Sequence, residues 1–319
     1  ALPIWAAFVT SPDVTNPLVS TAGATSPPDT AAARLKSAIS NGGDVRLTED
    51  IEISETLLVT RDVTLDLNGH VLKMTGDGSV LRVKKGPHPV TLTITDSSAA
   101  KSGTITGGNA EDGGGVCVEA YATLEMTGGC ITGCRAVDGG GVYIDNNATL
   151  KMTGGCITDC HASYGGGIYS YENLYMGGTA KIEKCTSNGG SDDAILNREG
   201  NIYADGGTVD GTVNNQGTIT CSHGTNANAA TVFNKTVYLR GSNLTKRYIE
   251  AGTYNGTVEN TGSIIGGTFY GTVRNQKNSM GLNITGSVTG GTFYGPIVNE
   301  VGPGQVTGGT FAVRFDTDG

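Results

Sequence analysis

The chain has 319 residues, of which 51 are Gly, with 37% hydrophobic and 16% charged residues. Its formal net charge of −9 and the lack of any Lys/Arg run argue against nucleic acid and anionic membrane as partners. No apolar run is long enough to insert into a bilayer. So much Gly and so little charge would suggest disorder, but the regular short-period pattern below argues against it.

Residues 1–28 are Pro- and Ser-rich and aperiodic, which predicts an arm or linker. The opening ALPIWAAFVT lacks a basic region and a clear cleavage site, so a mature or trimmed start is expected. Asp29 and Thr30 then precede AAARLKSAIS, with apolar residues at Ala31, Leu35, Ala38 and Ile39. This predicts one amphipathic helix over 29–41, ended by Asn41-Gly42-Gly43. Its expected role is to plug the open end of whatever follows.

Residues 44–112 read as the first coils of a solenoid, with Leu65 and Leu67 pointing inward and Asn68-Gly69 forming a tight turn. His70 follows that turn, and with no acid–base partner placed beside it, a solvated or turn-bracing role is expected. From Gly113 the chain says one thing twice: GGGVCVEAYATLEMTGGCITGCRAVD, then GGGVYIDNNATLKMTGGCITDCHASY. The offsets Gly113 to Gly139 and Gly139 to Gly165 are both 26 residues. Apolar/polar alternation between Gly clusters (Val142, Ile144; Leu150, Met152) is a strand signal of period 2. One such repeat cannot bury its own apolar face, so it must stack on its neighbours.

These repeats, read at Gly139–Ile144, Met152–Ile157 and their counterparts one copy earlier, resemble the pectin-lyase-like, right-handed parallel β-helix repeats of bacterial surface proteins. The resemblance implies an all-β, single-stranded right-handed parallel β-helix with an N-terminal capping helix. It also implies an extracellular or cell-surface, adhesin-like setting. The regular repeats fill 113–188, and shorter coils fill 189–319, giving one β-helix domain over 29–319. The last residues, FAVRFDTDG, stop within the pattern without a polar cap, so further domains of a longer protein are expected to flank it.

The seven Cys fall largely in phase: Cys130 with Cys156, and Cys134 with Cys160 and, one residue short, Cys185. Ile131 faces the core, so Cys130 and Cys156 should face outward. The CxxxC spacing is read as core or ladder thiols ahead of a metal site, because zinc favours CxxC pairs and His partners. A disulfide between stacked neighbours is the other option. In the related repeats the Cys134 position is usually an inward Asn.

Beyond 189 the strands AILN, TVNN, TVFN, TVEN, TVRN and PIVN end in Asn197, Asn215, Asn234, Asn260, Asn275 and Asn299, which predicts an Asn ladder. Tyr254, Phe269, Phe293 and Phe311 predict an inward aromatic column, with Tyr270 and Tyr294 outward. Asn-x-Thr triplets at Asn147, Asn234, Asn243, Asn255 and Asn283 are expected by-products of the turns.

Two sets of residues are candidates for function. Asp112 and Asp138 are in phase before successive GGG turns, and Glu119 and Asp145 are in phase after the following strand. Stacked carboxylates suit calcium or acid–base catalysis, as does the Asp192-Asp193 pair. No Arg or Lys accompanies them in a recognisable lyase or hydrolase motif, so solvated turn acids are the plainer reading. The second set is aromatic. Tyr143 and Tyr169 share a column and should point outward, with Tyr164, Tyr171 and Tyr175 close by. Exposed Tyr143, Tyr169, Tyr171, Tyr270 and Tyr294 suit polysaccharide or host-surface glycan and protein contacts, against a plain ladder that only stabilises the sheet. The expected function is a non-catalytic, adhesin-like module. The alternatives are a polysaccharide lyase or glycoside hydrolase acting through Asp112, Asp138 and Asp145, and a purely structural stalk.

Overall fold

A computed structural model describes residues 30–86, 88–190, 193–220, 231–240, 248–276, 286–299 and 306–312. The expected N-terminal arm, Asp29, Asp192, Cys221, Asn243 and Asn283 lie outside the described residues. The helix spans Ala31–Asn41, and the Thr30 side chain accepts the Ala33 N–H at 3.1 Å as its cap. Leu35 and Ile39, one turn apart, are its buried residues. Gly42 ends it at φ +79°, a left-handed conformation that favours Gly. The helix lies over the strands Gly43–Arg46, Ile51–Ile53 and Leu57–Val59, covering the first turn of the solenoid.

Among the described residues every other element is a strand, most of them short, and all pairings between these strands are parallel. The chain is a parallel β-helix. Each turn, or rung, contributes a strand to each of three columns. The first column begins at Gly43–Arg46 and the second at Ile51–Ile53. Leu174–Glu183 and Asn201–Asp210 run through both, which merges these columns into one 21-stranded sheet. The third column is a separate sheet of 11 strands, from Leu57–Val59 to Ile297–Asn299. At about 4.8 Å per rung it extends for roughly 50 Å. A short fourth sheet of four strands, Asn109–Asp112, Arg135–Asp138, His161–Tyr164 and Thr186–Ser187, stands beside the central rungs.

The repeat is the register. Val116–Val118 pairs with Val142–Ile144 and Thr123–Met126 with Thr149–Met152. The alternating residues Val142, Ile144, Leu150 and Met152 are fully buried. The GGG triplets follow from the same stacking. Gly139 sits at φ +67°, and a Cβ on Gly140 would lie 2.4 Å from the Gly166 carbonyl of the next rung. The first Gly turns the chain, and the second lets two backbones touch.

The aromatic column is present and starts one rung earlier than expected. Phe233, Tyr254, Phe269 and Phe293 stack buried at 4.8–5.0 Å; Phe311 follows at 5.3 Å but, contrary to the expected inward position, is 49% exposed. The Asn ladder needs a correction. Asn197 pairs with Asn215, and Asn260 with Asn275 and Asn299, but the residue between the two groups is Leu239. Asn234 follows a second-column strand, Val232–Phe233, and its Oδ1 accepts from Asn255 on the surface. The TVFN string imitates the ladder strands, but TVYL, one strand later, occupies that column. Where the ladder runs, Asn197 Nδ2 donates to Asn215 Oδ1 at 2.6 Å and Asn260 Nδ2 to Asn275 Oδ1 at 2.8 Å.

The Cys residues divide into two kinds. Cys130 and Cys156 face outward in register and are joined by a disulfide with Cα–Cα 4.5 Å. Cys134, Cys160 and Cys185 are buried free thiols at a bend. Each donates to the carbonyl two residues before it, for example Cys160 Sγ to Thr158 O at 3.3 Å.

Candidate functional site

The outer face of the third sheet gathers most of the candidate residues. Along Val142–Ile144 the two apolar residues point in, so Tyr143 points out. Register places Arg82, Cys117, Tyr143, Tyr169 and Leu196 in one outward row, a rung apart. The fourth sheet raises a wall on one side, with Asp112, Asp138 and Tyr164 in register. On the other side the strand ends stack Lys84, Glu119, Asp145, Tyr171 and Arg198, as the bonds Glu119 N–H to Val83 O and Tyr171 N–H to Ile144 O record. Together these rows form one strip of surface parallel to the solenoid axis.

Charge converges at one end of it. Arg82 Nη1 donates to Glu119 Oε1 at 3.1 Å, and Lys84 Nζ lies 3.6 Å from the same oxygen. Burial raises the Asp112 carboxyl above its ordinary value; Glu111 and Asp145 add to the rise and Arg82 opposes it. Burial also pushes the Cys117 thiol up to about 12, with Arg82 opposing and Asp112, Glu119 and Asp145 reinforcing. That thiol is protonated and unreactive at neutral pH. Burial chiefly raises the Tyr143 hydroxyl, again with Asp145 and Asp112 contributing. At the other end, Arg198 Nε donates to the Tyr169 hydroxyl at 3.0 Å, and that hydroxyl donates to the Tyr171 hydroxyl at 3.1 Å.

The sequence pattern does not place the basic residues Arg82, Lys84 and Arg198 beside the acids; the structure does. They lie in rungs outside the 26-residue copies, so the repeat does not point to them. The available signal was alternation: Leu81-Arg82-Val83-Lys84 has the pattern of Val116-Cys117-Val118-Glu119, with which it is in register.

The exposed tyrosine row also needs correction. Tyr169 points outward but is only 2% exposed, covered by Tyr171, Arg198 and the stacked Tyr143 ring. Tyr143 and Tyr171 are half-buried. Tyr175 stacks on Tyr203 on the first column, a different face. Tyr270 and Tyr294 are 52% and 51% exposed and stack at 4.7 Å. Stacked rings cover each other's faces, so this pair presents edges and hydroxyls outward.

The remaining candidates are structural. Asp193 accepts the Ser187 N–H at 2.8 Å, which closes a turn. His70 Nδ1 lies 3.3 Å from Asp50 Oδ1, which also accepts the Val71 N–H. Among the described residues, no three or more His, Cys, Asp or Glu side chains come together as a metal site, so calcium has no such donor set there. Among the same residues, no helix is long and apolar enough to cross a membrane. Neither the family models, the curated proteins nor the solved structures contain a match to this sequence.

Proposed function

We propose that this chain is a non-catalytic extracellular or cell-surface module, adhesin-like, that binds glycan on the outer face of its third sheet. The observation that carries the reading is the three-row arrangement over Tyr143. Tyr143 and the buried Tyr169 lie in the middle row, between flanks of carboxylates and hydroxyls. Such a surface offers apolar contact and many hydrogen bonds to a hydroxyl-rich chain. The Cys130–Cys156 disulfide supports an oxidising compartment. The half-buried edges of Tyr143 and Tyr171 would make the contacts. Tyr169, being buried, would hold them in place, and the exposed pair Tyr270 and Tyr294 would form a separate surface. The test is a glycan array with the parent and with Tyr143→Ala/Tyr171→Ala. Binding by the parent that the variant loses supports the reading; equal binding by both removes this face from it.

A second reading is a polysaccharide lyase or glycoside hydrolase. It is favoured by Asp112, with its raised carboxyl, in the same electrostatic field as Asp145 and Arg82. Product release from uronic or neutral polysaccharides that disappears in Asp112→Asn would establish it over simple binding. A stalk without a ligand is what remains if neither assay responds.

A further inference from the structure

We propose that the Cys130–Cys156 bond is a redox-cleavable staple that sets the rigidity of the four-stranded wall beside the Tyr143 row; as regulation of glycan binding, this rests on the reading above. The two sulfurs sit on adjacent rungs in register, five residues ahead of the wall strands Arg135–Asp138 and His161–Tyr164. The closed loop of sequence separation 26 contains the whole of Arg135–Asp138, the strand that carries Asp138.

The wall is the smallest of the sheets. Its sheet has four strands, against 11 and 21 in the others, and its last strand is two residues long. At its entrance the rungs are tied by a backbone bond, such as His161 N–H to Cys134 O at 2.9 Å, and by a buried thiol, such as Cys160 Sγ to Ile131 O at 3.8 Å. In a solenoid each rung is stabilised by its neighbours alone, so loosening one junction acts locally.

Accessibility separates this bond from the other thiols. Cys130 and Cys156 are half-buried on the surface, whereas Cys117, Cys134, Cys160 and Cys185 are each 5% exposed or less. The buried bend thiols are already engaged with carbonyls, so they do not compete for the exchange. A dithiol reductant opens the staple: the protein disulfide becomes two thiols, and the dithiol closes to its own cyclic disulfide. The protein keeps its fold, and only the wall gains freedom.

The experiment is hydrogen exchange on the full chain, before and after dithiothreitol without denaturant, with thiol counting in parallel. Reduction should expose two additional reactive thiols. It should speed amide exchange in 135–138 and 161–164 by about tenfold or more, while the third-sheet strands are unchanged. The double variant Cys130→Ser/Cys156→Ser should show the fast exchange with or without reductant. Unchanged wall exchange after complete reduction overturns the staple, as does a uniform increase over all rungs. Glycan binding is then compared in the two redox states. Weaker binding after reduction supports regulation, and equal binding overturns it. Binding in neither state overturns both the glycan reading and its regulation, while the exchange data still decide the staple as a mechanical element.

Discussion

Arg198 reaches back one rung to donate its Nε hydrogen to the buried hydroxyl of Tyr169 at 3.0 Å. The bond raises the guanidinium's own pKa and opposes the burial that pushes the Tyr169 hydroxyl up to about 12. Tyr169 in turn donates to Tyr171, so one Arg orders two phenols. Replacing Arg198 with Met keeps the stem and removes the donor. We expect a loss of about 1 kcal/mol in urea unfolding, as for a partly buried charged hydrogen bond. The Tyr169 titration should also move further up, which absorbance of the phenolate will detect.

Asp112 makes stability depend on pH. Its folded-state pKa lies above the unfolded value, chiefly through burial. The folded chain therefore holds the proton more tightly. The contribution is most favourable below the unfolded carboxylate pKa and is lost as pH rises through the folded one. Asp112→Asn should be more stable than the parent at pH 7, and the gap should close in acid. Urea midpoints at pH 7 and pH 3 decide this; a gap that widens in acid would falsify the assignment.

Two glycines should respond in very different ways. Gly43 has φ +87° and open space around its Cβ direction, so Gly43→Ala should cost only the left-handed penalty of about 1–2 kcal/mol. A Cβ on Gly140 would meet the Gly166 and His161 carbonyls at 2.4 and 2.5 Å, and backbone cannot move aside. Gly140→Ala should cost about 3 kcal/mol or more. Thermal unfolding of the pair tests whether rung contact, beyond backbone conformation, selects the GGG turn.

The amide ladder has a direct test at Asn275, which accepts from Asn260 and donates to Asn299, both at 2.8 Å. Asn275→Leu, nearly isosteric, leaves a donor and an acceptor without their partners and should cost about 1–3 kcal/mol. Asn234→Leu lies outside the ladder and exchanges a surface bond, so it should change stability by about 0.5 kcal/mol or less. Equal effects at the two positions would contradict the ladder assignment.

The sequence by itself determined the rung. Period-2 alternation and the 26-residue offset name Val142, Ile144, Leu150 and Met152 as core, because backbone geometry sends alternate residues to opposite faces. Cap chemistry at Thr30 and Gly42 fixed the helix for the same local reason. What the tertiary structure alone decided is which rungs meet. Asn234 and Leu239 lie in adjacent strands of similar sequence, and only pairing across rungs assigns the ladder column to Leu239. Arg82 and Glu119 are 37 residues apart in sequence and 3.1 Å apart in space, because loop lengths between strands vary while the column does not. Whether an outward side chain stays exposed is likewise set by its neighbours. Alternation sends Tyr169 and Tyr270 outward alike, but Tyr143, Tyr171 and Arg198 bury the first, whereas the second, stacked on Tyr294, stays 52% exposed.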